Sequence, residues 1–306
     1  MSDDPGFAAF EEVGIAERDK PPFLRLPEPE TLFDKRAARF TVLAPGHQLE
    51  AYLAFLGGVS QAQATLAAAI GAPDMPSPGD LRMRAGNAMP LLPREELATD
   101  RSVSEAFDRL AALLADVSMP DLAREALTRA AAAGPEARQA MFAAVLADAV
   151  PVEAVAEHIF AAAALQVVAA RRSALLDPVL PQPVADGVCP CCGGPPVASA
   201  VVADLHVEGV RYVQCSLCAA QWNHVRVKCV SCGSTKGIAY QEIEGIADTI
   251  KAETCDECRT YVKILNRRKA PELEAVADDV ASLGLDLLVT EAGWRRAGVN
   301  PFLLGY

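Results

Sequence analysis

All nine cysteines of this 306-residue chain fall between Cys189 and Cys258, and eight of them form four C-x-x-C pairs: Cys189/Cys192, Cys215/Cys218, Cys229/Cys232 and Cys255/Cys258. The third pair follows the first by forty residues and the fourth follows the second by forty, so the frame C-x2-C-x22-C-x2-C is written twice around a ten-residue connector. A tetrahedral thiolate site needs four sulfurs. One C-x-x-C turn presents two of them to one metal, so two turns complete a closed site. The chain carries the ligands for two such sites. Pairing of sequence neighbours, first with second and third with fourth, follows from the repeat; a cross-braced pairing is the alternative.

Four thiolates suit zinc or a single rubredoxin-type iron, and ligand type alone does not decide between them. A closed four-sulfur site has no open position for a bound water, which argues against Lewis-acid hydrolysis there. The metals then either hold small ribbons together or serve redox or client sensing. Gly193 and Gly233 follow the second cysteine of the first and third pairs, where a glycine lets the turn form without a Cβ clash. Cys191, inside the first turn, is a spectator thiol, an alternative ligand or a reactive group.

The rest of the composition narrows the classes. Apolar residues make up 51% of the chain, enough for a substantial core without disulfides. A net charge of −12 disfavours nucleic-acid binding driven by counterion release. The acidic start, Met1-Ser2-Asp3-Asp4-Pro5, resembles neither a secretory signal nor a presequence and points to the cytoplasm, where thiols stay reduced and bind metal. The most apolar window, Val152 to Ala170, carries Glu153, Glu157 and His158 and reads as a buried Ala-rich helix, so no membrane insertion is expected. The four histidines, His47, His158, His206 and His224, are scattered, and G-x-S-x-G, Walker and G-x-G-x-x-G motifs do not occur. No catalytic constellation emerges, and an enzyme is not expected.

The pattern along the chain predicts an α+β protein. Residues 1–30, rich in proline, read as an extended arm. Residues 31–180 read as an α-helical bundle, with helices from Glu30 to Leu43, Leu49 to Ile70, Val103 to Val117, Pro120 to Ala133, Pro135 to Ala149 and Pro151 to Ser173. A long loop is expected from Pro73 to Pro93, and a proline-punctuated linker from Asp177 to Asp186. Strands follow at Pro196 to Val202 and Gly209 to Gln214, joined by a ribbon turn around Asp204 to Glu208. Further strands are expected at Trp222 to Lys228, Ile238 to Ile243, Thr249 to Thr254 and Thr260 to Leu265. Glu272 to Leu288 returns to helix, and Asn300-Pro301-Phe302-Leu303 reads as an extended tail. Trp222 and Arg226, beside the third cysteine pair, are candidates for a partner contact.

Several runs carry a family resemblance. Arg211-Tyr212-Val213-Gln214-Cys215-Ser216-Leu217-Cys218, then Trp222, Val225-Arg226-Val227-Lys228-Cys229, Lys251-Ala252-Glu253-Thr254-Cys255, Thr260 to Leu265 and Glu274 to Asp279 resemble the formate dehydrogenase accessory protein family, FdhE. Asn300 to Leu303 fits the ending of that family, and Pro21-Pro22-Phe23-Leu24 and Arg36-Ala37-Ala38-Arg39 match in the helical half. The chain departs from the family at Cys191, usually not a cysteine, and at Asn223, often a histidine.

The resemblance implies a helical domain joined to two rubredoxin-like (zinc-ribbon-like) modules, at 187–226 and 227–268, with a C-terminal helix and tail at 269–306. It also implies a chaperone-like cytoplasmic role in maturing a respiratory molybdenum or tungsten formate dehydrogenase through its catalytic subunit. Iron in the two four-cysteine sites is what the resemblance favours, with zinc as the alternative. A homodimer is allowed. The other functional readings are a rubredoxin-type electron carrier and, against the charge, a zinc-ribbon nucleic-acid binder.

Overall fold

The computed structural model describes residues 21–203, 208–244 and 248–303. Residues 1–20 of the expected arm, the ribbon turn at 204–207 and the last three residues of the tail lie outside the described residues. Residues 21–30 do not form a free arm. Leu24–Arg25 is a strand, β1, paired antiparallel with Trp222 and Gln221, and Tyr212 Oη donates to Pro22 O at 2.8 Å.

The helices that follow are α1 (Pro29–Leu43), α2 (Glu50–Ala69), α3 (Pro78–Gly86), α4 (Arg101–Leu114), α5 (Asp121–Ala132), α6 (Pro135–Leu146) and α7 (Val155–Ala174). Spacing of three and four brings Phe33, Ala37 and Phe40 of α1 onto one buried face, which packs on Leu53, Leu56 and Val59 of α2. Each large side chain so buried contributes roughly 1.5–3 kcal/mol. Every residue from His158 to Ala170 in α7 is buried, and α1, α2, α4, α5 and α6 all pack against it. Alanine at six of these thirteen positions allows that close approach on several sides. Val152–Ala174 is long and apolar enough to cross a membrane by length and composition, but here neighbouring helices take up its apolar surface.

The expected loop from Pro73 to Pro93 is interrupted by α3. Ser77 Oγ accepts from Asp80 N at 3.2 Å and Pro78 supplies the first-turn φ, so capping chemistry starts this helix without an apolar face. None of its residues is buried, which is why periodicity gives no sign of it.

The cysteine-rich half forms β2 (Pro196–Ala203), β3 (Glu208–Cys215), β4 (Gln221–Asn223), β5 (Ile238–Gln241), β6 (Ile250–Cys255) and β7 (Thr260–Asn266). They make one sheet in the order β1-β4-β3-β2-β7-β6-β5, with β8 (Arg295–Arg296) added beside β7. The join is parallel: Ser199, Ala200 and Val201 pair with Ile264, Leu265 and Asn266. The two expected modules are therefore the two halves of a single sheet. The buried pair Arg211–Glu253, 2.8 Å apart, crosses the same seam, with Ser199 Oγ accepting a second bond from Arg211. The strand expected from Trp222 to Lys228 stops at Asn223; the chain turns, Lys228 N donating to Val225 O, and leaves Val225 and Val227 exposed.

The single helix expected from Glu272 to Leu288 is two, α8 (Ala277–Ala281) and α9 (Leu283–Glu291). The break at Ser282 coincides with a contact from β7. Lys263 Nζ donates to Asp279 O (2.8 Å) and Ser282 O (3.0 Å), so a cation takes up carbonyls at the break, while Asp278 O keeps its helical bond from Ser282 N and also accepts from Ser282 Oγ. The expected extended tail is instead anchored. Asn300 Nδ2 donates to Val276 O and Asp279 Oδ2, Tyr52 Oη donates to Phe302 O, and Phe302 is buried. Helices, tail and both half-sheets share one apolar core that includes Leu53, Phe160, Val197 and Trp222, with Val230, Val262 and Leu265 reaching it from the second half, and Phe302 from the tail.

Candidate metal centres

The sulfurs gather as two groups of four, Cys189/Cys192/Cys215/Cys218 and Cys229/Cys232/Cys255/Cys258, with the atoms of each group within 4.8 Å of one another. The pairing is between sequence neighbours, not cross-braced. Each turn closes the same way: Cys189 N donates to Gly194 O, Cys215 N to Ala220 O and Cys229 N to Ser234 O, while Cys255 pairs with Thr260 across β6 and β7. The residue after the second cysteine has positive φ in all four turns: Gly193 (78°), Ala219 (59°), Gly233 (72°) and Arg259 (55°). Only two of these are glycines, so the repeat is more complete in the backbone than in the residues. The signal available in sequence is position alone.

The geometry fits a tetrahedral metal. With a metal–sulfur bond near 2.3 Å, the edge of a tetrahedron of four sulfurs is about 3.8 Å. Measured sulfur separations are 3.6 Å (Cys189–Cys218) and 3.4 Å (Cys192–Cys215) in the first group, and 3.8 Å (Cys229–Cys258 and Cys232–Cys255) in the second. All eight thiols are free. Gly194 N and Leu217 N point at Cys192 Sγ and Cys215 Sγ, both at 3.4 Å, as donors that stabilise thiolate charge. In the chain by itself, burial pushes the Cys189 thiol up, and burial raises Cys229 to about 12. Burial also opposes ionisation of Cys258, but the hydrogen bond with Thr260 and the contact with Cys232 outweigh it and bring that thiol to about 7. Four clustered thiols resist ionising together unless a cation joins them, the electrostatics of a four-thiolate metal site.

Cys191 is buried and lies outside both four-sulfur groups. The two residues expected to form a partner contact part company: Trp222 is 5% exposed and packed in the core, whereas Arg226 is exposed. Trp222 loses its surface by packing into the shared core, with β1 paired beside it across some two hundred residues. Its remaining edge lines a cleft of about 370 Å³ with Phe23, Asp186, Pro190, His224 and Lys228. Burial, aided by the Arg211 charge, lowers the His224 pKa.

The surroundings of the first group have no counterpart in the sequence pattern. Leu92 N donates to Cys191 O (2.8 Å) and Arg94 N to Cys192 O (3.0 Å), so a segment of the helical domain lies on the first turn. Gln166 of α7 donates to Ser216 O at 2.8 Å, while its own Oε1 accepts from Arg36 (3.2 Å) and Gln63 (3.1 Å).

Comparison with known proteins places this arrangement. Residues 21–186 match the family model described as FdhE, N-terminal; residues 188–226 match FdhE, central domain; and residues 227–303 match FdhE, C-terminal domain. A protein FdhE homolog of Rhizobium meliloti (strain 1021) is 46% identical over 290 residues, covering 94% of each chain. One from Stutzerimonas stutzeri (strain A1501) is 36% identical over 294 residues, again covering 94% of each. The crystal structure of the FdhE protein from Pseudomonas aeruginosa superposes with a TM-score of 0.82 at 31% identity, covering 93% of this chain and 99% of that one.

Proposed function

The chain belongs to the FdhE family, and from that premise we propose that it is an accessory factor for a respiratory molybdenum or tungsten formate dehydrogenase, not an enzyme. It binds the catalytic subunit in the cytoplasm during maturation. The observation that supports this reading is the pair of closed four-cysteine sites built into a sheet that shares its core with a helical domain. Such sites offer four sulfurs and no open coordination position, which suits shaping a docking surface or sensing a redox state better than turning over a substrate. Iron is the metal this reading favours; zinc fits the same sulfurs. When bound, either ion supplies folding energy to the turns, and iron adds a one-electron couple.

A strain whose only copy carries Cys215→Ala with Cys218→Ala tests the reading. It should make formate dehydrogenase polypeptide but oxidise little formate, while the purified unaltered protein turns over no formate itself. Normal formate oxidation with the altered protein stably present contradicts it. A second reading, a rubredoxin-type electron carrier, draws support from the exposure of Cys232, which would bring one centre to the surface. Reversible one-electron reduction at a potential matched to a partner, with formate dehydrogenase maturing normally in the deletion strain, would favour it.

A further inference from the structure

Equivalent ligands of the two centres differ in exposure. Cys192 and Cys232 hold the same place in turns forty residues apart, yet Cys192 is 2% exposed and Cys232 lies open to solvent. Cys218 is fully buried, and its equivalent Cys258 is half-buried. The turns themselves are alike, so the difference comes from what covers them.

Over the first centre lie Leu91, Leu92 and Arg94, whose amides donate to Pro190, Cys191 and Cys192 carbonyls, and Gln166, which holds Ser216 O. Pro90 is so close that a Cβ on Gly193 would meet it at 3.1 Å. All four sulfur-bearing residues of this centre belong to the shared core. None of Cys229, Cys232, Cys255 and Cys258 belongs to any of the buried apolar clusters among the described residues. On the third turn, Asp186 forms an ion pair with Lys228, both partly exposed, and the fourth turn is met by β8 through Arg295 N and Arg259 O.

We propose that the second centre is an exchangeable metal site, open at Cys232 to an incoming thiol from a small molecule or a cysteine-bearing protein, while the first is kinetically closed. The inference rests on reading both clusters as metal centres. With a metal held by Cys229, Cys232, Cys255 and Cys258, the incoming thiol's sulfur would replace that of Cys232 as a ligand, and its proton would pass to the departing Cys232 sulfur. No electron is transferred. At the first centre the same approach requires the covering segment and α7 to open first, and that opening involves the shared core.

The test uses the full chain loaded with zinc, exposed to excess glutathione with EDTA and sampled by native mass spectrometry. A one-metal species should accumulate, with the first ion leaving at least about tenfold faster than the second, within the range that supporting contacts exert on metal sites. Alkylation of that species should mark Cys229, Cys232, Cys255 and Cys258 and spare Cys189, Cys192, Cys215 and Cys218. Cys232→Ser should speed the first loss and leave the second unchanged. Loss of both ions together, or first from the centre containing Cys189, overturns the proposal. A chain that binds fewer than two ions at the start overturns the premise with it. None of these readouts involves formate dehydrogenase, so failure here leaves the accessory reading standing, and failure of that reading leaves this result intact.

Discussion

The half-sheet built on β2 and β3 and the half-sheet built on β6 and β7 use the same turns at the same spacing, but they sit in different surroundings. The first is pressed against α7 and the segment before Arg94, so its sulfurs are part of the core of the helical domain. The second keeps its sulfurs outside that core and reaches it through Val230, Val262 and Leu265, meeting the rest of the molecule also through the parallel β2–β7 join, the Arg211–Glu253 pair, β8 and a small cluster of Ala252, Tyr261, Leu285 and Val289. A metal in the first place should therefore be coupled more strongly to global stability than one in the second, whose cysteines lie outside the core. Duplicated ligands thus need not mean duplicated roles; what covers each copy sets how tightly its metal is tied to the fold.

The largest test of this contrast is removal of each centre in turn. Cys215→Ala with Cys218→Ala should cost more than about 4 kcal/mol in denaturation followed by helical circular dichroism, because uncompensated sulfurs are left in the core. Cys229→Ala with Cys232→Ala should cost about 1–3 kcal/mol by the same probe. Equal losses would break the comparison. Next comes the seam: Arg211→Met should cost about 3–5 kcal/mol by stranding the buried Glu253 carboxylate, and adding Glu253→Met should recover most of it. If the double variant is no better than the single, the pair is not what joins the halves.

Gln166→Leu should cost about 1–3 kcal/mol, since Ser216 O, Arg36 and Gln63 each lose a partner. It should hasten metal release from the first centre only, read by alkylation of Cys215 and Cys218. The smallest effect is expected at His224. Burial lowers its folded pKa below the ordinary 6.5, so the unfolded chain binds more protons. Its contribution to stability is therefore full above pH 6.5 and declines as pH falls through that value toward the folded pKa. His224→Gln should flatten that part of the stability profile, measured with metal-saturated protein.

Much of this is legible in local pattern. The forty-residue repeat locates both clusters, spacing of three and four locates α1 and α2 within a few residues, and a proline start with an apolar, Ala-rich window locates α7. The failures share a cause in contacts between distant residues. Lys263 meets the C-terminal helix break from sixteen residues away through Asp279 O, Trp222 is buried in the shared core beside β1, and Tyr52 anchors the tail at Phe302. The parallel register of Ser199 with Ile264 leaves no trace in either strand alone, so the pattern separates the two modules without showing that one sheet runs through both. Likewise, nothing in the residues around Cys192 and Cys232 distinguishes a covered turn from an open one. The covering residues, Leu92 and Gln166, lie in another part of the chain.

The most direct measurement is the metal content of the full chain purified without oxygen, by native mass spectrometry. Two ions per chain are expected, falling to one in Cys229→Ala with Cys232→Ala while the helical signal persists. One ion or none in the unaltered chain, or two surviving in the variant, would contradict the assignment of the eight cysteines to two closed centres.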